Sequence, residues 1–245
     1  MIPFLPPGAR FPPVERALRR PDGLLAAGGD LSVDTLVRAY THGIFPWFNE
    51  GDPILWWSPN PRMVLRCAGF HLSRSLRRRL KRNDVRVSFD RAFTEMLEAC
   101  AAPRDDDGGT WLVPEMQAAY YEMHERGLAH SVEVWRGERL LGGLYGVALG
   151  RMFFGESMVS IETDASKIAL AWLAAQMIEW GMPIIDCQMA TPHLESLGGR
   201  GVPRRQFTGW VEALVRQPGP SAWRFDPNLD PAARLTTAST GVTTD

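Results

Sequence analysis

The sequence predicts an α+β fold, and three observations carry that expectation. Alternation of apolar and polar residues recurs in short runs, at residues 85–89 and again in a pair, residues 130–135 and 140–149, joined through Gly137-Glu138. A helical stretch around residues 168–178 is apolar over nearly its whole circumference, as a buried helix must be. One further apolar strand, residues 183–188, comes after that helix. Meander strands, one buried helix and a returning strand describe a mostly antiparallel sheet with helices on it.

The elements follow in order. Residues 1–30 are rich in Pro and Gly and read as extended loop. Ser32 is placed to cap a short helix to Thr41, which Gly43 stops. Residues 54–57 read as a strand, and Ser58-Pro59-Asn60-Pro61 then breaks the pattern. A domain boundary is set there, between a small N-terminal α/β domain of residues 1–61 and a larger one of residues 62–232. The larger domain opens with a strand at residues 62–66 and a basic helix at residues 73–82. Asp90 is placed to cap a helix to Ala101, and Pro114 suits the first turn of another, ended by Gly127. Gly150 turns the chain into a strand at residues 152–158. Asp164 is placed to cap the long helix to Trp180, and a last helix covers residues 203–216. Residues 233–245 are low in complexity and read as a disordered tail.

Composition limits the function classes. A chain of 245 residues, 45% apolar and 22% charged, can close a core without disulfides or a structural metal. Cys67, Cys100 and Cys187 have no redox or zinc spacing, which points to a reducing, cytoplasmic compartment. The first residues lack the basic and apolar regions of a signal peptide, and the longest apolar run is too short to span a bilayer. A net charge of −1 argues against general coating of nucleic acid, so any RNA contact needs a local patch. No metal set and no cofactor loop is evident: Cys67, His124, Cys187 and His193 do not cluster by spacing. A Cys187–His193 nucleophile pair is disfavoured, because Cys187 lies between two inward polar positions.

Several segments go further. Gly28-Gly29-Asp30-Leu31-Ser32, Gly43-Ile44-Phe45-Pro46-Trp47-Phe48, Trp56-Trp57-Ser58-Pro59 with Pro61-Arg62, and Gly109-Thr110-Trp111 come first. His130-Ser131-Val132-Glu133-Val134-Trp135, Gly155-Glu156-Ser157-Met158, Ala165-Ser166-Lys167 and Ile185-Asp186-Cys187-Gln188 follow. In this order they resemble the signature blocks of the leucyl/phenylalanyl-tRNA–protein transferase family, over about residues 15–225. The resemblance implies a small N-terminal domain and a catalytic domain with the fold of the GNAT acyltransferases. It also implies an activity: Leu or Phe, less often Met, passes from aminoacyl-tRNA to proteins beginning with Arg or Lys and marks them for degradation. A monomer that needs neither cofactor nor membrane is expected. Two departures stand near the expected site: Ile161 where relatives often carry Arg, and Thr191 where Asn is common.

An aminoacyl ester is already activated, so an enzyme has chiefly to position it, deprotonate the amine and stabilise the oxyanion. Asp186 and Gln188, two apart on a strand, should share one face, with the Asp orienting the Gln amide. The resemblance assigns this pair to the catalytic centre; otherwise it would be a polar fastener of a strand end. Gln188 is expected to position the amine, while water, Asp186 or a ribose hydroxyl takes the proton. Glu156, at a strand end, is a carboxylate suited to a cationic acceptor. Leu144, Phe153, Met158, Leu170, Leu173 and Ile185 are candidates for the donor side-chain pocket, with plain core as the alternative for some of them. Trp47 and Trp111 hold the family positions for stacking the 3′-adenosine of tRNA. On the basic helix, Leu72, Leu76 and Leu80 form one apolar stripe, and Arg74, Arg77, Arg78, Arg79, Lys81 and Arg82 cover the rest. That run is the best candidate for the tRNA backbone.

Two other readings compete. An acetyl-coenzyme A-dependent GNAT acetyltransferase would need a Gly-rich turn opening the long helix, where this chain has Glu162-Thr163-Asp164. A non-catalytic RNA-binding module would leave Asp186, Gln188 and the apolar pocket without a task.

Overall fold

The computed structural model describes residues 1–82, 84–102 and 112–240. Strands β1 (Phe4–Leu5), β2 (Leu24–Gly28), β3 (Phe45–Pro46) and β4 (Leu55–Trp57) form a four-stranded sheet in the order β1-β2-β4-β3. Between β2 and β3 runs helix α1 (Val33–Tyr40), whose first turn is capped by the Ser32 hydroxyl accepting from the Thr35 amide. Gly43 follows it at φ +74°, a left-handed conformation that favours Gly, and a Cβ there would meet the Phe207 ring. Residues 1–30 are therefore not all loop. Short strands β1 and β2 lie among the prolines, because β2 pairs on both sides and its pattern is too brief for alternation to reveal.

The second sheet begins at β5 (Arg62–Arg66), just after the Ser58–Pro61 break. Helix α2 (Arg74–Leu80), β6 (Arg86–Phe89), α3 (Phe93–Ala101) and α4 (Pro114–Glu125) come next. Strands β7 (Ala129–Arg136), β8 (Arg139–Leu149) and β9 (Met152–Ser160) make the expected meander. Helix α5 (Ala165–Glu179), β10 (Ile184–Gln188), α6 (Pro192–Ser196), β11 (Arg200–Val202), α7 (Arg204–Val215) and α8 (Pro231–Thr240) complete the chain. The strand order is β11-β5-β10-β9-β8-β7-β6. All neighbours are antiparallel except β9 and β10, which the α5 crossover makes parallel. The fold is mixed α+β, as the sequence implies.

Pleating divides the core between the two faces of this sheet. Val64, Tyr145, Phe154 and Ile184 join one cluster, with α1, α3, α4, α7 and the first sheet. Their chain neighbours Leu65, Leu144, Phe153 and Ile185 join the other, packed under α5 with α2 and α8. The basic helix keeps its expected stripe: Leu76 is buried, and Leu72 and Leu80 lean on the same cluster.

Three local expectations need correction. Asp90 caps no helix; it sits at φ 55° and spends its carboxylate on the His130 ring and the Ser131 amide. Asp164 stands at the α5 N-cap position in left-handed conformation without capping. Its side chain pairs with Lys167, and the Ser160 hydroxyl accepts from the Ser166 amide instead. Residues 233–240 are not a disordered tail but belong to α8, where Ala232 and Leu235 are buried and Arg234 pairs with Glu179 of α5. An apolar residue every three positions suffices there because α5 offers a ready surface. Residues 241–245 lie outside the described residues.

Candidate active site

Two bulges lie side by side where β9 and β10 end their pairing. In β9, Ser157 opposes Tyr145 and Gly155 opposes Gly146, so Glu156 is the inserted residue. In β10, Asp186 opposes Val64 and Gln188 opposes Met63, so Cys187 is inserted, and Gln188 takes φ 61°. Bulges re-aim side chains and are frequent beside active sites. The last β9–β10 pair is Phe154 with Asp186; beyond it the strands separate.

At this opening Glu156 is buried and fully engaged. The hydroxyl of Tyr40 donates to its Oε1 at 2.8 Å, and that of Tyr120 to Oε2 at 2.6 Å. The Gln188 side-chain amide donates to Oε1 at 2.8 Å. Burial is the main cause that raises the Glu156 carboxyl to about 7, assisted by the charge of Asp186 and opposed by the two phenols and Arg62. Glu156 thus presents no open carboxylate to a cationic acceptor, contrary to expectation, and it stands at a bulge inside β9 and not at a strand end.

Asp186 faces a different partner. Arg62 reaches it with Nε to Oδ1 at 2.8 Å and Nη2 to Oδ2 at 2.7 Å, and both side chains are inaccessible to solvent. The guanidinium also donates from Nη1 to the Gly43 carbonyl, and lies 4.6 Å from the ring centres of both Phe45 and Phe207. Asp186 was expected to orient the Gln188 amide through its side chain. It accepts instead from the Gln188 backbone N–H, at 2.9 Å, an Asp-to-(i+2) turn that supports the left-handed conformation at Gln188. The side-chain amide is held by Glu156. The local cause is the bulge, which breaks the simple two-residue alternation.

A cavity of about 110 Å³ opens beside this pair. Glu156, Asp186 and Gln188 line it together with Leu144, Phe153, Met158, Leu170, Ile185 and Leu194. Five of the six expected pocket residues are therefore gathered here. Leu173 is not; it is fully buried among the α5 contacts and belongs to the core. Cys187 also lines the cavity, but apolar surroundings and the Asp186 charge hold its thiol far above the ordinary range. Its Sγ has the Ile185 carbonyl as hydrogen-bond partner.

The other expected contacts lie apart from the cavity lining. Trp47, just after β3, is half-buried, edge-on to Trp57 at 5.6 Å, and its carbonyl accepts from the Trp57 indole. Trp111 falls outside the described residues. On α2 and just beyond it, Arg74, Arg78, Lys81 and Arg82 are exposed and Arg77 is half-buried, whereas Arg79 is paired with Asp84. The cationic face is thus smaller than the run of residues suggests. Ile161 is exposed, and Thr191 caps α6 by accepting from the Leu194 amide, a task Asn performs equally well. Among the described residues no three His, Cys, Asp or Glu side chains gather as a metal site would require.

Sequence reasoning missed Tyr40, Tyr120 and Arg62 as site residues. Tyr40 and Tyr120 sit on the apolar stripes of α1 and α4 and read as core. The available signal was chemical: a buried phenol needs a partner. Arg62 likewise begins an apolar strand, where a buried guanidinium must find an acid.

A buried carboxyl raised to about 7 and the side-chain amide that donates to it lie together at the end of an apolar cavity. The family described as Leucyl/phenylalanyl-tRNA protein transferase matches residues 64–212, and its N-terminal domain matches residues 29–60. The chain is 58% identical over 217 residues to the Leucyl/phenylalanyl-tRNA--protein transferase of Nitrosomonas europaea, covering 88% of this chain and 92% of the relative. It is 55% identical over 224 residues to that of Azoarcus sp., covering 91% and 95%. The chain belongs to the leucyl/phenylalanyl-tRNA protein transferase family.

Proposed function

We propose that this protein transfers Leu or Phe, less often Met, from aminoacyl-tRNA to the N-terminal amine of proteins beginning with Arg or Lys, creating a degradation signal. Beyond family membership, the observation that carries this reading is the cavity that ends at the Gln188–Glu156 pair. Its walls are mainly aliphatic and aromatic, as an isobutyl side chain requires. Met158 on its wall can yield to a flatter or longer donor. The polar end meets the ester carbonyl and the attacking amine.

In this reading Gln188 aligns the amine and Glu156 is the buried carboxyl at hand for proton transfer. Asp186 does not handle the proton, since Arg62 and the Gln188 amide occupy its oxygens. The exposed cations Arg74, Arg78, Lys81 and Arg82 hold the tRNA backbone, with Arg77 beside them, and Trp47 and Trp111 stack the terminal adenosine. Residues 1–61 act as a small N-terminal domain, and the rest, through α8, as a GNAT-like catalytic domain with a mostly antiparallel sheet. The reading takes the enzyme to be a cytoplasmic monomer.

The start of α5 speaks against acetyl-coenzyme A as donor. The Ala165, Ser166 and Ile168 amides are taken by Glu162, Ser160 and Asp164, and Glu162 itself lies there, so a pyrophosphate finds little to bind.

The test is incubation of the full chain with labelled Leu-tRNA and a peptide beginning with Arg, followed by mass analysis. One added Leu on the N-terminal amine is expected, and none when that amine is blocked. Acetylation from acetyl-coenzyme A, or tight binding of charged tRNA without product, would overturn the reading in favour of a GNAT acetyltransferase or an RNA-binding module.

A further inference from the structure

Counting hydrogens around Glu156 gives a result that distances alone conceal. The Tyr40 and Tyr120 hydroxyl oxygens are 2.8 Å apart. Tyr40 is also 2.8 Å from Glu156 Oε1, and Tyr120 2.6 Å from Oε2. Three oxygen–oxygen contacts therefore close a ring, and each is a hydrogen bond only if a hydrogen lies in it. A phenol supplies one hydrogen, so the two tyrosines supply two. The third can come only from the carboxyl group.

With Glu156 ionised, one contact of the ring would set lone pairs against each other in a buried place. With Glu156 protonated, every contact is satisfied. Gln188 selects the direction of the circuit. Its amide donates to Oε1, so Oε1 is best kept as the carbonyl oxygen, accepting from Gln188 and Tyr40. Tyr120 then donates to Tyr40 and accepts from Oε2–H, so protonation reverses the direction its bond to Oε2 has with Glu156 ionised.

We propose that Tyr40, Tyr120 and Glu156 form a closed ring that holds one proton in the resting enzyme, so that Glu156 enters the transfer reaction as a carboxylic acid. The two tyrosines are positioning residues that act through Glu156. As the amine nitrogen bonds to the ester carbon and the carbon–oxygen bond to the ribose breaks, the ring gives its proton to the departing oxygen. The proton shed by the amine refills the ring, and no other reactant is needed. This second half rests on the transferase reading; the resting proton does not.

The groups facing Glu156 agree with this. Gln188 is neutral, and Tyr145 stands edge-on to Tyr120 at 5.3 Å. Asp186 favours the proton; Arg62 opposes it but is directed at Asp186. Burial is the largest influence, and the carboxyl is raised to about 7.

The experiment is infrared difference spectroscopy of the full chain carrying carbon-13 glutamate, compared with Glu156→Gln, across a pH series. A carboxylic-acid carbonyl band is expected below about 7, shifted by the label, absent in Glu156→Gln and lost as pH rises through about 7. Tyr40→Phe and Tyr120→Phe each remove a donor to the ionised form, so each should raise the midpoint by roughly one pH unit. The alkaline limb of kcat should move with it. Absence of the band one unit below the midpoint, or a midpoint unmoved in both Phe variants, overturns the ring. The band is read without substrate, so failure of the ring and failure of the transferase reading remain distinguishable.

Discussion

Two buried carboxylates reach the same face of one sheet and are treated in opposite ways. Asp186 meets a guanidinium that grips both oxygens and is itself held by the Phe45 and Phe207 rings and the Gly43 carbonyl. Glu156 meets two phenols and an amide, groups that carry no charge to match its own. The first environment fixes geometry: it ties the loop after α1, β5 and α7 to the strand that bears Gln188. The second, with no countercharge in contact, leaves burial to raise the carboxyl to about 7. Separate tasks for two neighbouring acids are set by their partners, not by the acids.

The largest test of the contrast removes the charge that Asp186 depends on. Arg62→Met should cost about 3–5 kcal/mol of stability, because it strands a buried carboxylate. Arg62→Met combined with Asp186→Leu should recover most of that in urea unfolding yet leave transfer defective, since the turn that sets Gln188 is lost. Full activity in the double variant would show that the clamp is a fastener only.

Glu156 should make stability depend on pH. Its folded value lies above that of an unfolded Glu, so its contribution to stability is complete below the unfolded value and is lost as pH rises through about 7. Over that window the cost is roughly 3 kcal/mol. Unfolding at a series of pH values should show this slope in the parent and not in Glu156→Gln. Glu133, raised chiefly by burial, adds a slope of the same sign that the variant retains.

The smallest effect probes what holds the guanidinium. Phe207→Leu keeps an apolar side chain but removes one ring beside Arg62, and about 1–2 kcal/mol should be lost. Equal transfer rates at equal folded fraction would indicate that the Asp186 contacts alone keep Arg62 in place.

Much of this was legible in the chain. The strand at β10, the meander from β7 to β9, the cap at Ser32 and the Pro114 turn all follow from residues within a few positions of each other. Five walls of the cavity were legible too, as apolar residues on the strands and helix that an apolar donor side chain would need beside it. Other features were not legible. Leu170 and Leu173 lie on the same buried helix, and only the packing of α5 on the sheet separates a cavity wall from core. The pairing of Arg79 with Asp84 was hidden because α2 reads as one uninterrupted cationic run.

The sequence by itself determined the family and the order of the central elements, from the β7–β9 meander through α5 to β10, since these rest on local spacing and on ordered blocks of residues. Only the tertiary structure decided which acid meets which partner. Arg62 and Asp186 are 124 positions apart, and Tyr40 and Glu156 are 116 apart. Whether a carboxylate faces a guanidinium or a phenol depends on two bulges and on the splay of β9 from β10, which put those distant side chains within 3 Å of each other. No periodicity along the chain encodes that contact, because burial and hydrogen bonding act through space and not along the backbone.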